Sequence, residues 1–251
     1  MYAVTAATQT TSSNIVRFRA RSGDRATLQD LFAAQPIEIL PARRAAFWQS
    51  DAAEHIIQVV TGALRLCRIL SDGRRAIAGL VFPDDILGLS FRDQYPVTAE
   101  AVSEVLLRRL SRRQLEAAAQ GSAHLRSQLF DRVCEDARSA QNRMLLLHMT
   151  AEQRVASFLL LMACRSKEGL KPGMEIDLPM SRGDIADYLG LKIETVSRAL
   201  TKLRARGLIA VPNSHQILLL IPSALMEIAG EADRPGVLDV RALAGQHHLS
   251  S

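Results

Sequence analysis

Between Ile37 and Leu110 the hydrophobic positions come in short runs cut by turn residues. "IIQVVTGALRLCRIL" holds two β-rich runs with a turn at Thr61-Gly62, and "LSDGRRAIAGLVF" places Asp72-Gly73 at a hairpin turn. "FPDDILGL" reads as a strand end, a turn and a new strand, and "AEAVSEVLLRRLS" closes the set. Many short strands at roughly ten-residue spacing predict a sandwich or barrel. At Arg112 the period changes. Ala, Leu, Arg, Gln and Glu dominate, Gly and Pro all but vanish after Gly121, and the pattern predicts a long helix from Ser122 to about His148. A second helix follows in "TAEQRVASFLLLMACRSK", with Thr150 as N-cap and Gln153 in the capping-box position. Lys171-Pro172-Gly173 is a turn, and "MEIDLPM" is a short alternating strand. Residues 182–209 read as a helix pair about Gly190, and "GLIAVPNSHQILLLI" as two strands around "PNSH", a β-wing. Residues 1–25, rich in Thr, Ser and Ala without a period, are expected to be a mobile arm. The tail 230–251 is expected to be mostly loose. The reading is an α+β chain: arm 1–25, sheet-rich domain 26–121, long helix 122–148, second domain 149–229, tail 230–251.

The helix pair carries the chemistry. Ser181 with Asp184 three residues on resembles a capping box, and Ile185, Ala186 and Leu189 share one face. Gly190 supplies the left-handed residue that a tight turn needs. Val196, Ala199, Leu200 and Leu203 line the inner face of the next helix, and small Ala186 lets the two helices cross closely. Glu194, Thr195, Ser197, Arg198 and Thr201 then point outward near the helix start. An Arg can give two bonds to guanine O6 and N7, a Glu can accept from cytosine N4, and a Ser can meet a base edge or a thymine methyl. The base-reading candidates are therefore Glu194, Ser197 and Arg198. Ser181, Arg182, Lys192, Thr195, Thr201 and Lys202 are placed to meet phosphates, with Arg204 and Arg206 beside them. The i, i+4 pair Glu194 and Arg198 can equally form an ordinary surface ion pair.

Composition narrows the classes. The chain has 251 residues, 48% of them hydrophobic and only 4% aromatic, which allows a sizeable aliphatic core and excludes global disorder. A net charge of +5 suits an anionic partner. Three scattered cysteines, Cys67, Cys134 and Cys164, make neither a disulfide framework nor a zinc site and fit a reducing cytoplasm. The N-terminus lacks a signal-peptide pattern, and no window approaches the ~18 apolar residues of a membrane span. No P-loop, HExxH, G-x-S-x-G or GxGxxG is present, so an enzyme is not expected. No cofactor or metal is expected either.

"DIADYLGLKIETVSRALTKLRARGLI" closely resembles the DNA-binding helix-turn-helix of the Crp/Fnr superfamily of bacterial transcription regulators. Its E-T-V-S-R core is similar to the Fnr/FixK branch; Crp-type proteins have Gly in place of the Ser. Gly62, Gly73 and the "PDDILG" of Pro83 to Gly88 match turn positions of the family's cyclic-nucleotide-binding-type β-roll. The resemblance spans about residues 35–222. It implies an N-terminal β-roll, a long dimerisation helix and a C-terminal winged helix-turn-helix, working as a homodimer on a palindrome in double-stranded DNA. It also implies TTGAT-type half-sites, with Arg198 on the guanine, Glu194 on the paired cytosine and Ser197 on the neighbouring thymine. RNA polymerase is implied as a partner, touched by the sheet-rich domain or by the loop near Arg165 to Met174.

Two of the family's switches are missing. Cyclic-nucleotide-binding members carry Gly-Glu for the ribose and Arg-Ser or Arg-Thr for the phosphate; here Leu89 and Ser90 follow Gly88, and Val97-Thr98 stands at the second place. A buried cyclic phosphate without a cation is poorly compensated, so no cyclic-nucleotide response is expected. Fnr holds an iron–sulfur cluster on four cysteines, whereas this chain has none before Cys67. That combination is the FixK-type pattern, which implies low-oxygen, denitrification or nitrogen-fixation control. The alternative is a regulator whose β-roll senses haem, a redox change or an unidentified small molecule. His55, His124 and Cys134 are its candidates, while His247 and His248 fall in the tail.

Two registers are open for the dimer helix. A heptad in the family register takes Leu125, Arg132, Asp136, Ser139, Arg143 and Leu146, with Arg132 and Asp136 available to pair across the seam. A 3.6-residue period takes Leu125, Leu129, Val133, Ala137, Ala140, Met144 and Leu147, which can instead face the β-roll and the second domain. The combined dimerisation set is Leu125, Leu129, Arg132, Asp136, Arg143 and Leu146.

Overall fold

A computed structural model describes residues 26–230 except 74, 92, 147 and 166–168. The arm 1–25 and nearly all of the tail 230–251 lie outside the described residues. The first element, α1 (Leu28–Ala33), was not foreseen from the pattern. Thr27 and Asp30 close a capping box at its start, and Leu28, Leu31 and Phe32 are buried. Eight strands follow: β1 (Glu38–Leu40), β2 (Ala45–Phe47), β3 (His55–Thr61), β4 (Leu64–Ile69), β5 (Arg75–Val81), β6 (Ile86–Leu87), β7 (Thr98–Ala101) and β8 (Val105–Ser111). They form two four-stranded antiparallel sheets, β1-β8-β3-β6 and β2-β7-β4-β5. Ile57, Val59, Val105 and Leu107 of one sheet meet Leu64, Val81, Ala99 and Ala101 of the other in a shared aliphatic core.

The predicted turns are found, with one refinement. Asp72-Gly73 joins β4 to β5 as a true hairpin. Thr61-Gly62 instead carries the chain from one sheet to the other, because β3 and β4 belong to different sheets. Gly62 is required there: its φ is +81°, and a Cβ would stand 2.3 Å from the Glu104 carbonyl oxygen.

The helical stretch after Ser111 is two helices, α2 (Arg112–Gly121) and α3 (Ala123–Leu146). The break is buried Ser122, whose hydroxyl accepts from the Leu125 amide at 3.1 Å. Next come α4 (Ala151–Cys164), capped by Thr150 and Gln153 as predicted, and β9 (Met174–Asp177). The helix pair is α5 (Arg182–Leu189) and α6 (Ile193–Ala205). The wing is β10 (Ile209–Asn213) and β11 (Gln216–Leu219), which pairs back to β9. A last helix, α7 (Pro222–Ala229), starts on a proline and ends at left-handed Gly230.

Phe158, Leu159 and Met162 of α4, Ile185 and Leu189 of α5, Leu200 and Leu203 of α6, Ile217 of the wing and Leu225 of α7 form one core. Ala63 and Phe82 of the sheet-rich part join it, so the apolar packing is continuous across the two halves. Among the described residues no helix is long and apolar enough to cross a membrane.

Candidate DNA-reading surface

Local rules build α5 and α6. The Ser181 hydroxyl donates to Asp184 Oδ2 at 2.8 Å and accepts from the Asp184 amide at 3.1 Å, satisfying groups left open at the start of α5. Gly190 ends α5 at φ 63°, ψ 39°, and the Leu191 amide then bonds the Ala186 carbonyl at 2.9 Å. Ala186 is buried where the helices cross. Val196, Ala199, Leu200 and Leu203 are buried as the spacing predicts.

The outer face of α6 stands open. Glu194, Ser197, Arg198 and Thr201 are exposed, and Thr195 is half-buried. Glu194 and Arg198 form no ion pair with each other, so both keep their bonding capacity for a ligand. The Ser197 hydroxyl donates to the Ile193 carbonyl one turn back at 2.9 Å. Around this face, Ser181 and Lys192 are exposed and Arg182 is half-buried. Arg182, Ser197, Leu200, Thr201, Arg204 and Val211 line a groove of about 160 Å³ between α5, α6 and β10. Burial pulls the Arg182 guanidinium below its ordinary range, and its Nη1 has no hydrogen-bond partner among the described residues. Lys202 is held differently: its ammonium is bonded to Glu152 in the first turn of α4, which also takes Arg206 at 2.7 Å. The Lys202 bond, with the burial of Glu152 opposing it and Arg206 adding to it, holds the Glu152 carboxyl below its ordinary range.

The dimerisation set is divided: Leu125 and Leu146 are buried, Leu129, Arg132 and Asp136 half-buried, and Arg143 exposed. Leu125 is fully buried against α1 and α2, with Leu129 beside it. Arg132, Asp136, Arg143 and Leu146 line a cavity of about 500 Å³ between α3, the two-sheet body, α4 and α5. Burial pushes the Asp136 carboxyl up, against the pull of Arg132. The 3.6-residue register divides: Leu125 and Leu129 turn inward, while Val133, Ala137, Ala140 and Met144 are exposed, the first three also bordering that cavity. With Phe130 these make an outward apolar stripe, Phe130 70% and Met144 67% exposed. Leu147 lies outside the described residues.

The β-roll positions named for a cyclic nucleotide lie on this cavity too: Gly88, Ser90 and Val97 contribute to its wall. The cations near it come from helices, Arg132 and Arg143 of α3 and Arg165 after α4. Arg165 is already committed, at 2.9 Å from Asp85 and 4.4 Å from the Phe82 ring centroid.

One group escaped the sequence reading altogether. Arg65 of β4 reaches Glu100 of β7 at 2.6 Å and Asp184 of α5 at 2.7 Å, and Arg75 of β5 lies 3.4 Å from the same Asp184 oxygen. Asp184 was legible as a cap; its partners 109 and 119 residues away were not.

Residues 153–228 match the family model described as a Crp-like helix-turn-helix domain, and residues 38–122 match that of a cyclic nucleotide-binding domain. The chain is 42% identical over 184 residues to the nitrogen fixation regulation protein FixK of Azorhizobium caulinodans, covering 72% of this chain and 74% of that protein. It is 33% identical over 205 residues to the transcriptional activator protein FnrL of Cereibacter sphaeroides, covering 79% and 82%. The solved structure of FixK2 from Bradyrhizobium japonicum superposes with a TM-score of 0.72 at 37% identity, covering 77% of this chain and 96% of that one. The chain belongs to the Crp/Fnr family of transcription regulators, in its FixK-type branch.

Proposed function

We propose that the chain binds palindromic TTGAT-type sites in double-stranded DNA as a homodimer, with α6 in the major groove. The observation that carries this reading is the unpaired, exposed Glu194 and Arg198 on a helix whose other face is locked by Val196, Leu200 and Leu203. Arg198 donates twice to guanine, Glu194 accepts from the paired cytosine N4, and Ser197 packs on the adjacent thymine methyl. The Ser197 hydroxyl can stay on Ile193 while its Cβ makes that contact. Ser181, Arg182, Lys192, Thr195 and Thr201 bond phosphates, and Lys202 adds charge from within its pair with Glu152.

Dimerisation follows from α3. Phe130, Val133, Ala137, Ala140 and Met144 are spaced 3, 4, 3 and 4 apart on its open face, the a/d repeat of a coiled coil. A second copy covers that stripe and places two reading helices on one palindrome. Domain limits at 121/122 and 148/149 belong to the same proposal. The relatives named for nitrogen fixation point to low-oxygen, denitrification or nitrogen-fixation genes as targets, read in the cytoplasm with RNA polymerase as the onward partner. No cyclic nucleotide or other cofactor is needed, since the β-roll positions that anchor one carry Leu89, Ser90, Val97 and Thr98.

The test is binding of the purified protein, with no added effector, to a TTGAT palindrome and a scrambled duplex across a salt series. A specificity ratio on the order of ~10³ with a steep salt slope is expected. Equal binding to both duplexes overturns the reading.

A further inference from the structure

The contact between the two-sheet body and the winged head has an apolar part, Ala63 and Phe82 entering the head core, and a polar part beside it. The polar part is the Arg165–Asp85 pair at the end of α4 and, separate from it, the four-residue cluster of Arg65, Arg75, Glu100 and Asp184. Arg65 and Glu100 face each other in register on neighbouring strands, so the sheet itself holds the guanidinium in place. Asp184 is 7% exposed and Arg65 16% exposed at the side chain. Two cations and two carboxylates make the cluster neutral. Asp184 has two tasks: its Oδ2 takes the Ser181 hydroxyl and amide, while its Oδ1 takes Arg65 and Arg75. The first task starts α5. The second fastens that helix to β4 and β5.

We propose that Arg65, Arg75, Glu100 and Asp184 form an ionic latch that fixes the orientation of the DNA-reading head on the β-roll, which makes Arg65 and Asp184 positioning residues for DNA recognition. None of the four lies on the outer face of α6. They act through α5, against which the reading helix packs with Ala186 buried in the shared core. The latch rests on the DNA-binding reading for its consequence, though its geometry can be measured without DNA.

The experiment uses the full-length protein and four variants: Asp184→Asn, Arg65→Gln, the double variant, and Arg65→Lys. Asn at 184 keeps an acceptor for Ser181, so α5 retains its cap. Spin labels at exposed Ser71 on the β4–β5 turn and exposed Asn213 on the wing report the body-to-head distance by pulsed electron resonance, in a Cys134→Ser background. With labelled chains diluted into an excess of unlabelled protein, so that each dimer carries labels on one protomer, the latch predicts one narrow distance for the parent protein and a broadened one for Asp184→Asn and Arg65→Gln. The double variant should be no broader than either single one, and Arg65→Lys should stay narrow. Binding to the TTGAT palindrome should weaken roughly tenfold in the single variants, as for a head in the competent orientation about a tenth of the time. A distance as narrow in Asp184→Asn as in the parent overturns the latch, whatever the DNA result. An unchanged affinity alongside a broadened distance overturns its role in positioning. A parent protein that fails to discriminate the palindrome overturns the DNA reading instead, and the distances still decide the latch.

Discussion

Arg198 can be tested alone, because it is exposed and no ion pair among the described residues engages its guanidinium. Arg198→Ala should cost about 1–3 kcal/mol of binding at the guanine position and relax the choice of base there, measured by competition among duplexes changed at that one position. A uniform loss across all duplexes would instead make it a phosphate contact. Asp136 offers a test of a different kind. Its carboxyl is pushed up by burial, so its charged form is the one the fold disfavours. The cost builds as pH rises above the unfolded value near 3.8 and is complete above the raised folded one. Asp136→Asn should therefore raise Tm at neutral pH, with the gain vanishing as pH falls below 3.8 in a calorimetric series. At this scale the sequence was most legible where a residue acts within its own helix, as Ser181 and Asp184 do in the cap. It was least legible for Lys202 and Arg206, whose partner Glu152 stands 50 and 54 positions away.

The turn between α5 and α6 depends on one left-handed residue. A Cβ at Gly190 would meet Arg154 Nη1 at 3.6 Å, an ordinary contact, so the cost of substitution is conformational. Gly190→Ala should destabilise the fold by roughly 1–2 kcal/mol by urea denaturation. The long helix is a harder case. Both registers considered for it contain Leu125, yet the structure buries Leu125 inside the protomer and turns Val133, Ala137, Ala140 and Met144 outward. Periodicity finds a stripe; it does not say whether the stripe meets its own chain or another. The two faces predict opposite outcomes. Ala137→Glu should weaken the dimer roughly tenfold or more in sedimentation while leaving the protomer folded. Leu125→Ala should lower protomer stability by about 2–5 kcal/mol, the usual cost of emptying a buried leucine site. The short helices α1 and α7 were missed because six and eight residues give too little pattern to stand out from their flanks.

Over the described residues, the body and the head share an apolar contact, the four-residue ionic cluster and the Arg165–Asp85 pair. The Asp184 carboxyl is raised by burial and lowered more by Ser181 and Arg65, and the net shift is downward. Its contribution is thus present above the ordinary value of 3.8 and is lost as pH falls through the depressed folded value. Arg65, Arg75 and Glu100 face it from the sheet. The distance between body and head should hold constant from neutral to mildly acidic solution and spread only as pH falls below 3.8, measurable with the same spin labels.

The reading helix, the cap of α5 before it, the glycine turn between them and the split between buried and open faces were determined by the sequence alone, because each rests on interactions within four or five residues. So were the alternation of short strands and the change to helical period. What only the tertiary structure decided was pairing at long range: which sheet each strand joins, which face of α3 is free, and that Asp184 answers to Arg65. Those contacts join positions tens to more than a hundred residues apart, and no local propensity or period encodes the partner of a charge across such a distance.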